Sequence, residues 1–172
     1  YLEQAIKDHR NIIYVRFASH PPITEGHPEI KTVHIELSHR FETFSVAIHN
    51  LIAEEGSDAF YVFDCLSELP TAWATDLMMG NFFRVTCPFL FQLDTVAFFP
   101  VLRGLHSSEA IEKIQNTTQL FLDVFPYSRN EESDELYVRP LKVWRRSSPT
   151  MFHPHYYSGK SGEFRALSEG VE

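Results

Sequence analysis

The chain has 172 residues, 44% of them hydrophobic, and a formal charge of -8 at neutral pH. That length fits one domain with a real core, and 15 phenylalanines favour a packed globule over disorder. The negative balance argues against nonspecific nucleic-acid binding, where phosphate contacts dominate affinity, and no apolar run reaches the length of a membrane span.

Cys65 and Cys87 lie in or beside apolar runs without metal-ligand spacing, and read as reduced, buried thiols of a cytoplasmic protein. No signal peptide is read in these residues, and the chain opens at Tyr1 in what reads as mid-helix, so a piece of a longer protein is expected.

In chain order, Leu2, Ala5 and Ile6 share a helical face that Asn11 can close. Ile12 to Phe17 is β-branched and aromatic, a strand ended by Pro21 and Pro22. After a loop rich in Pro, Gly and His, Val33, Ile35 and Leu37 alternate with His34 and Glu36 as a half-buried strand. Phe41, Phe44, Ile48, Leu51 and Ile52 recur at helical spacing up to Gly56.

Phe60-Tyr61-Val62-Phe63 then runs into Asp64, followed by Cys65-Leu66-Ser67-Glu68-Leu69. An unbroken apolar run suits a strand buried on both faces of a parallel sheet. Asp64 would stand at its carboxyl end, where open α/β sheets bind ligands. A carboxylate is costly to desolvate there unless a cation offsets it, and Mg²⁺ on a nucleotide phosphate is the usual candidate. This is the form of a Walker B strand; a capping Asp at a strand-to-helix turn fits the same residues.

Pro70 suits a helix start, with Trp73, Leu77, Met78 and Phe82 as its buried face and Pro88 as a break or kink. Asp94 to Leu102 reads as another buried strand. Ser107 or Ser108 caps a long helix whose inner face is Ile111, Ile114, Thr118, Phe121 and Phe125. After the acidic loop 130–135, Leu136 to Trp144 is a strand near an edge or a bulge because Pro140 interrupts it. Met151 to Tyr157 pairs with it as a hairpin, and no internal repeat is evident. Alternating strands and helices predict an α/β fold with a largely parallel sheet.

The order of elements around Asp64 resembles the RecA-like core of the KaiC-type P-loop ATPases. Asp64-Cys65-Leu66-Ser67-Glu68-Leu69 is similar to that family's Walker B segment. Leu141-Lys142-Val143-Trp144-Arg145-Arg146-Ser147 resembles the late basic strand that reaches the nucleotide of a neighbouring subunit. Trp73-Ala74-Thr75-Asp76, Asn81-Phe82-Phe83 and Thr117-Thr118-Gln119 resemble a KaiC-like segment of phosphoenolpyruvate synthase or pyruvate-phosphate dikinase homologues. The resemblance implies a RecA-like three-layer fold with a C-terminal antiparallel hairpin, spanning 1–157, with 158–172 as a polar tail. It implies ATP and Mg²⁺, a homo-oligomer, and a nucleotide site containing Asp64 (on Mg²⁺ through water), Ser67, Arg103, Lys142 and Arg145.

Three departures stand against it. No Gly-x-x-x-x-Gly-Lys-Ser/Thr loop is present; Gly159-Lys160-Ser161 has Pro154 where the first glycine belongs and follows the Asp64 strand. The loop is therefore expected upstream of Tyr1, and the chain alone is expected to bind ATP only in the millimolar range. Ala18-Ser19-His20 replaces the acidic residues the family carries after its first strand, so hydrolysis is at most weak. Period two also puts Lys142 and Arg146 on one face and Arg145 on the other.

Other clusters offer alternatives. His153 and His155 with His106 could hold Zn²⁺, against the simpler reading of hydrogen-bonded or exposed rings. His20 could act as a base beside phosphates or be solvated. Arg103 and His106 could contact phosphate or form a surface pair at a helix N-terminus. Arg139, Lys142, Arg145 and Arg146 form a basic patch that reads equally as a phosphate or subunit contact and as a solvated edge. Two functions lead: an ATP-binding or ATPase regulatory module of a larger, phosphoenolpyruvate synthase-like protein, and a degenerate RecA-like domain that serves assembly or regulation without nucleotide; phosphotransfer to pyruvate would belong to other domains of a longer chain.

Overall fold

The computed structural model describes residues 2–17, 20–21, 23–37, 40–72, 75–126, 135–145, 148–158 and 163–166. The chain divides into two compact units, Tyr1–Thr117 and Thr118–Glu172.

In the first unit, α1 (Leu2–Lys7) leads into β1 (Asn11–Arg16), β2 (Ile30–His34), α2 (Phe41–Glu55) and β3 (Ala59–Asp64). A 3₁₀ turn at Leu66–Glu68, α3 (Leu69–Ala72), α4 (Asp76–Gln92), β4 (Val96–Phe98) and α5 (Ser108–Thr117) follow. The four strands form one parallel sheet in the order β2-β1-β3-β4. This is the expected α/β architecture, with the continuous apolar runs of β1 and β3 in its two central strands. Ile13, Tyr14, Val15, Tyr61 and Phe63 are all fully buried.

The pleat divides those strands between two layers. Ile12, Tyr14 and Val62 pack with Ala5 of α1, and Leu2 and Ile6 lie against the same cluster. Phe63 stacks on Phe99 at 4.8 Å, and Phe82, Phe83 and Phe44 extend that aromatic cluster through α4 and α2. Gly56 ends α2 at positive φ, its N–H donating to the Ile52 carbonyl at 3.1 Å. Thr75 caps α4 by accepting the Met78 N–H at 3.3 Å.

Several local expectations change. β2 ends at His34 rather than Leu37, although the Ile35 N–H still donates to the Arg16 carbonyl at 2.9 Å. The cap at Thr75 sets the phase of α4, so Met79, Phe82, Phe83, Thr86 and Leu90 are buried while Leu77 is 57% exposed. Pro88 lies inside this helix. β4 is an edge strand with exposed Val96 and Phe98, not a buried one. Trp73 lies outside the described residues.

In the second unit, β5 (Leu120–Pro126), β6 (Glu135–Val143), β7 (His155–Ser158) and β8 (Glu163–Ala166) form an antiparallel sheet in chain order. The long helix expected from Ser108 therefore ends at Thr117, and Phe121 and Phe125 belong to β5. Their spacing of four puts them on one face of a strand as well as of a helix, so the pattern fits both. Pro140 sits at a bulge, where the register shifts between Phe121 and Leu122, though β6 is an inner strand. The expected hairpin partner is β7, and β8 lies within the stretch expected to be a tail.

Candidate functional site

Parallel pairing brings the carboxyl ends of β1, β3 and β4 to one edge of the sheet. There Asp64 stands opposite Arg16 in register and is only 7% exposed. Tyr14, two residues before Arg16 and fully buried, donates its phenol O–H to Asp64 Oδ2. Burial, then the bond to Asp64 and its charge, push this phenol well above its ordinary pKa. The Phe17 N–H donates to the Asp64 carbonyl at 2.9 Å and pins the strand end. The Asp64–Cys65 peptide is cis.

His20 reaches the same carboxylate, its Nε2 lying 3.2 Å from Asp64 Oδ2. Its Nδ1 is 2.9 Å from the Pro21 carbonyl, an acceptor only, so this nitrogen carries a proton. The Pro21 carbonyl, aided by the Asp64 charge and bond and opposed by burial, raises the His20 pKa above its ordinary value. When protonated, the ring donates from both nitrogens. Arg16 Nη2 donates to the His20 carbonyl, and its buried Nε has no partner among the described residues.

A Mg²⁺ ion bound through water needs a carboxylate with a lone pair to spare. Asp64 Oδ2 is held by Tyr14 and His20, whereas Oδ1 has no hydrogen-bond partner among the described residues. The donor set therefore fits an outer-sphere cation with Asp64 as its anchor. No group of three or more His, Cys, Asp or Glu side chains that could hold a metal occurs among the described residues. His106 belongs to the first unit, and His153 and His155 to the second.

One turn on, Ser67 Oγ lies 2.8 Å from His106 Nε2 and accepts the Leu102 N–H at 2.8 Å. His106 Nδ1 is 3.2 Å from Asp76 Oδ1, and the Ser107 N–H donates to Asp76 Oδ2 at 2.8 Å. Those Ser107 bonds, then His106, hold the Asp76 carboxyl below its usual range. Arg103 follows Leu102 in the same loop and is exposed.

Asp64, Ser67 and Arg103 thus belong to one edge of the first unit, whereas Lys142 and Arg145 belong to the second. There Arg145 leaves the strand at φ 55° with its guanidinium 4.2 Å over the Trp144 ring, and Lys142 is half-buried. Arg139 pairs with Asp123 at 3.1 Å. Arg146 and Gly159-Lys160-Ser161 lie outside the described residues. Sequence reasoning missed Tyr14 and Asp76. The signal for Tyr14 was its even spacing from Arg16; for Asp76 it was the preceding Thr75 cap.

No helix among the described residues is long and apolar enough to cross a membrane. No family model matches the chain, and no curated protein matches its sequence. Solved structures match its fold. A KaiC-like protein of the hyperthermophilic archaeon Pyrococcus horikoshii aligns with a TM-score of 0.64 at 11% identity, covering 96% of this chain and 79% of that one. The flagellar accessory protein FlaH of Methanocaldococcus jannaschii aligns at 0.57 and 10% identity, over 97% and 79%. The chain therefore has an α/β fold of the RecA-like kind.

Proposed function

We propose that the chain is a nucleotide-binding module in which Asp64 anchors Mg²⁺ through water at the carboxyl edge of the parallel sheet. The observation that carries this reading is Asp64 itself, a buried carboxylate at the end of a central strand whose Oδ1 has no hydrogen-bond partner among the described residues. The KaiC-like likeness of the fold supports it. Bound there, the ion would neutralise charge on nucleotide phosphates. Asp64 would act as the Walker B residue, with Arg103 on the phosphate side and Ser67, buried beside it, supporting that edge from below. Lys142 and Arg145 would contact the nucleotide of a neighbouring subunit in a homo-oligomer. Hydrolysis is weak at most, because His20 is bound to Asp64 and Pro21 where the family places acids. A phosphoenolpyruvate synthase-like setting rests on the resemblance at Trp73–Asp76, Asn81–Phe83 and Thr117–Gln119 alone.

A second reading, a degenerate RecA-like domain serving assembly, is favoured by one observation. Residues 1–172 hold no glycine-rich loop to cradle phosphates with backbone N–H groups. Calorimetric titration of Mg-ATP into the full-length gene product separates the two. The nucleotide reading expects Asp64→Asn to weaken binding about tenfold or more, a little over 1 kcal/mol, with the fold intact. Equal affinity in the mutant retires Asp64 as the Mg²⁺ anchor, and no binding by the wild type leaves the assembly reading. For the subunit contact, Arg145→Ala and Lys142→Ala should reduce ATP-dependent assembly in light scattering. A strict monomer with saturating nucleotide would count against that contact.

A further inference from the structure

We infer that Ser67, His106 and Asp76 are positioning residues whose hydrogen-bond relay fixes the loop from Val101 to Ser107, and so presents Arg103 to a phosphate ligand at the Asp64 edge. The ligand half of this inference rests on the nucleotide reading above. The relay half rests on geometry.

The loop between β4 and α5 has no sheet or helix ladder of its own across these residues, so other groups must satisfy its backbone. Two of its N–H groups are held by side chains from elsewhere. Leu102 donates to Ser67 Oγ at 2.8 Å, and Ser107 to Asp76 Oδ2 at 2.8 Å. His106 closes the circuit between those anchors, with its side chain only 1% exposed.

The protons follow from what each atom can do. Asp76 accepts only, so His106 Nδ1 carries the hydrogen, and in the neutral ring Nε2 accepts from the Ser67 O–H. Ser67 Oγ then donates to His106 and accepts from Leu102.

Ser–His–Asp is also the constellation of a nucleophilic triad. Here the serine is 5% exposed and its oxygen already accepts a backbone N–H. A substrate carbonyl has no approach to it. What the circuit does is tie three points of the chain together: the turn directly after Asp64, the start of α4, and the start of α5. Ser107 itself belongs to that third point, its Oγ accepting the Ala110 N–H at 3.3 Å. Arg103 lies between the two anchored amides, beside Gly104 at φ 77°. The segment that carries this cation is therefore held at both ends while its side chain stays exposed.

A double-mutant cycle in the full-length protein tests this through Mg-ATP affinity. Arg103→Ala and Ser67→Ala should each weaken binding about tenfold, the scale of one charge-assisted hydrogen bond. The double variant should bind no worse than Arg103→Ala alone, because Ser67 acts through Arg103. Ser67→Thr, which keeps the hydroxyl, should restore affinity. Hydrogen exchange at the Leu102 and Ser107 amides should quicken in Ser67→Ala and Asp76→Asn respectively. Additive losses, or unchanged affinity in Ser67→Ala while the wild type binds, overturn this inference and leave the nucleotide reading standing. Wild-type protein that binds no Mg-ATP overturns both. Unchanged amide exchange in folded variants overturns the relay itself.

Discussion

In β1, four successive residues from Ile12 to Val15 are buried, whereas β5 alternates, with Leu120, Leu122 and Val124 exposed and their neighbours half-buried. Both strands are rich in apolar side chains, but of the two only the first is buried along both of its faces. The difference teaches where each kind of residue earns its energy. A buried run contributes through packing on both sides. An alternating strand contributes through cross-strand pairs such as Phe125 with Tyr137, whose rings lie 4.7 Å apart.

The largest effect expected from this contrast is in core truncation. Ile13→Ala in β1 should cost about 2–5 kcal/mol in urea unfolding, by lost transfer energy and a cavity. Val124→Ala in β5, 44% exposed, should stay within about 0.5 kcal/mol. Equal losses would mean that the antiparallel sheet is packed on both faces as well.

Polar groups repeat the contrast on a smaller scale. Tyr14→Phe deletes the donor to a buried carboxylate and should cost about 1–3 kcal/mol. Arg139→Ala breaks the pair with Asp123 on the antiparallel sheet, where the arginine side chain is 50% exposed. Thermal denaturation should register only about 0.2–1 kcal/mol there.

The smallest effects are titrations at the carboxyl edge, read by NMR. The Asp76 carboxyl titrates below its ordinary 3.8, so its contribution is full above that value and fades as pH falls through the folded one. His20 runs oppositely. Its imidazole titrates above 6.5, so its contribution is full below that value and fades as pH rises through the folded one. Titration of both groups at ordinary values would break the described edge.

How much of this was legible follows the same division. The β1 and β3 runs, the α2 stripe ending at Gly56, and the place of Asp64 at a strand end could all be read from periodicity. Those elements are long or bounded by clear breakers. β5 could not be read, because Phe121 and Phe125 fit a helix and a strand alike, and the Thr117-Thr118 pair was the only local hint of a change. The Asp64 neighbourhood was legible as one residue but not as a cluster. Its partners Tyr14 and His20 come from β1 and the following loop, fifty and forty-four positions earlier in the sequence. Long-range pairing of this kind leaves no mark on local spacing. The Ser67–His106–Asp76 relay was hidden for the same reason, although each member stands beside a readable strand or helix end.

Replacing Mg²⁺ with Mn²⁺ in the ATP complex of the full-length protein locates the bound ion most directly. Its unpaired electrons broaden nearby amide signals. If the ion is anchored at Asp64, the amides of residues 64–67 and of Arg16 should broaden, and Asp64→Asn should remove most of that effect. Broadening confined to other segments, or unchanged by Asp64→Asn, would contradict the account.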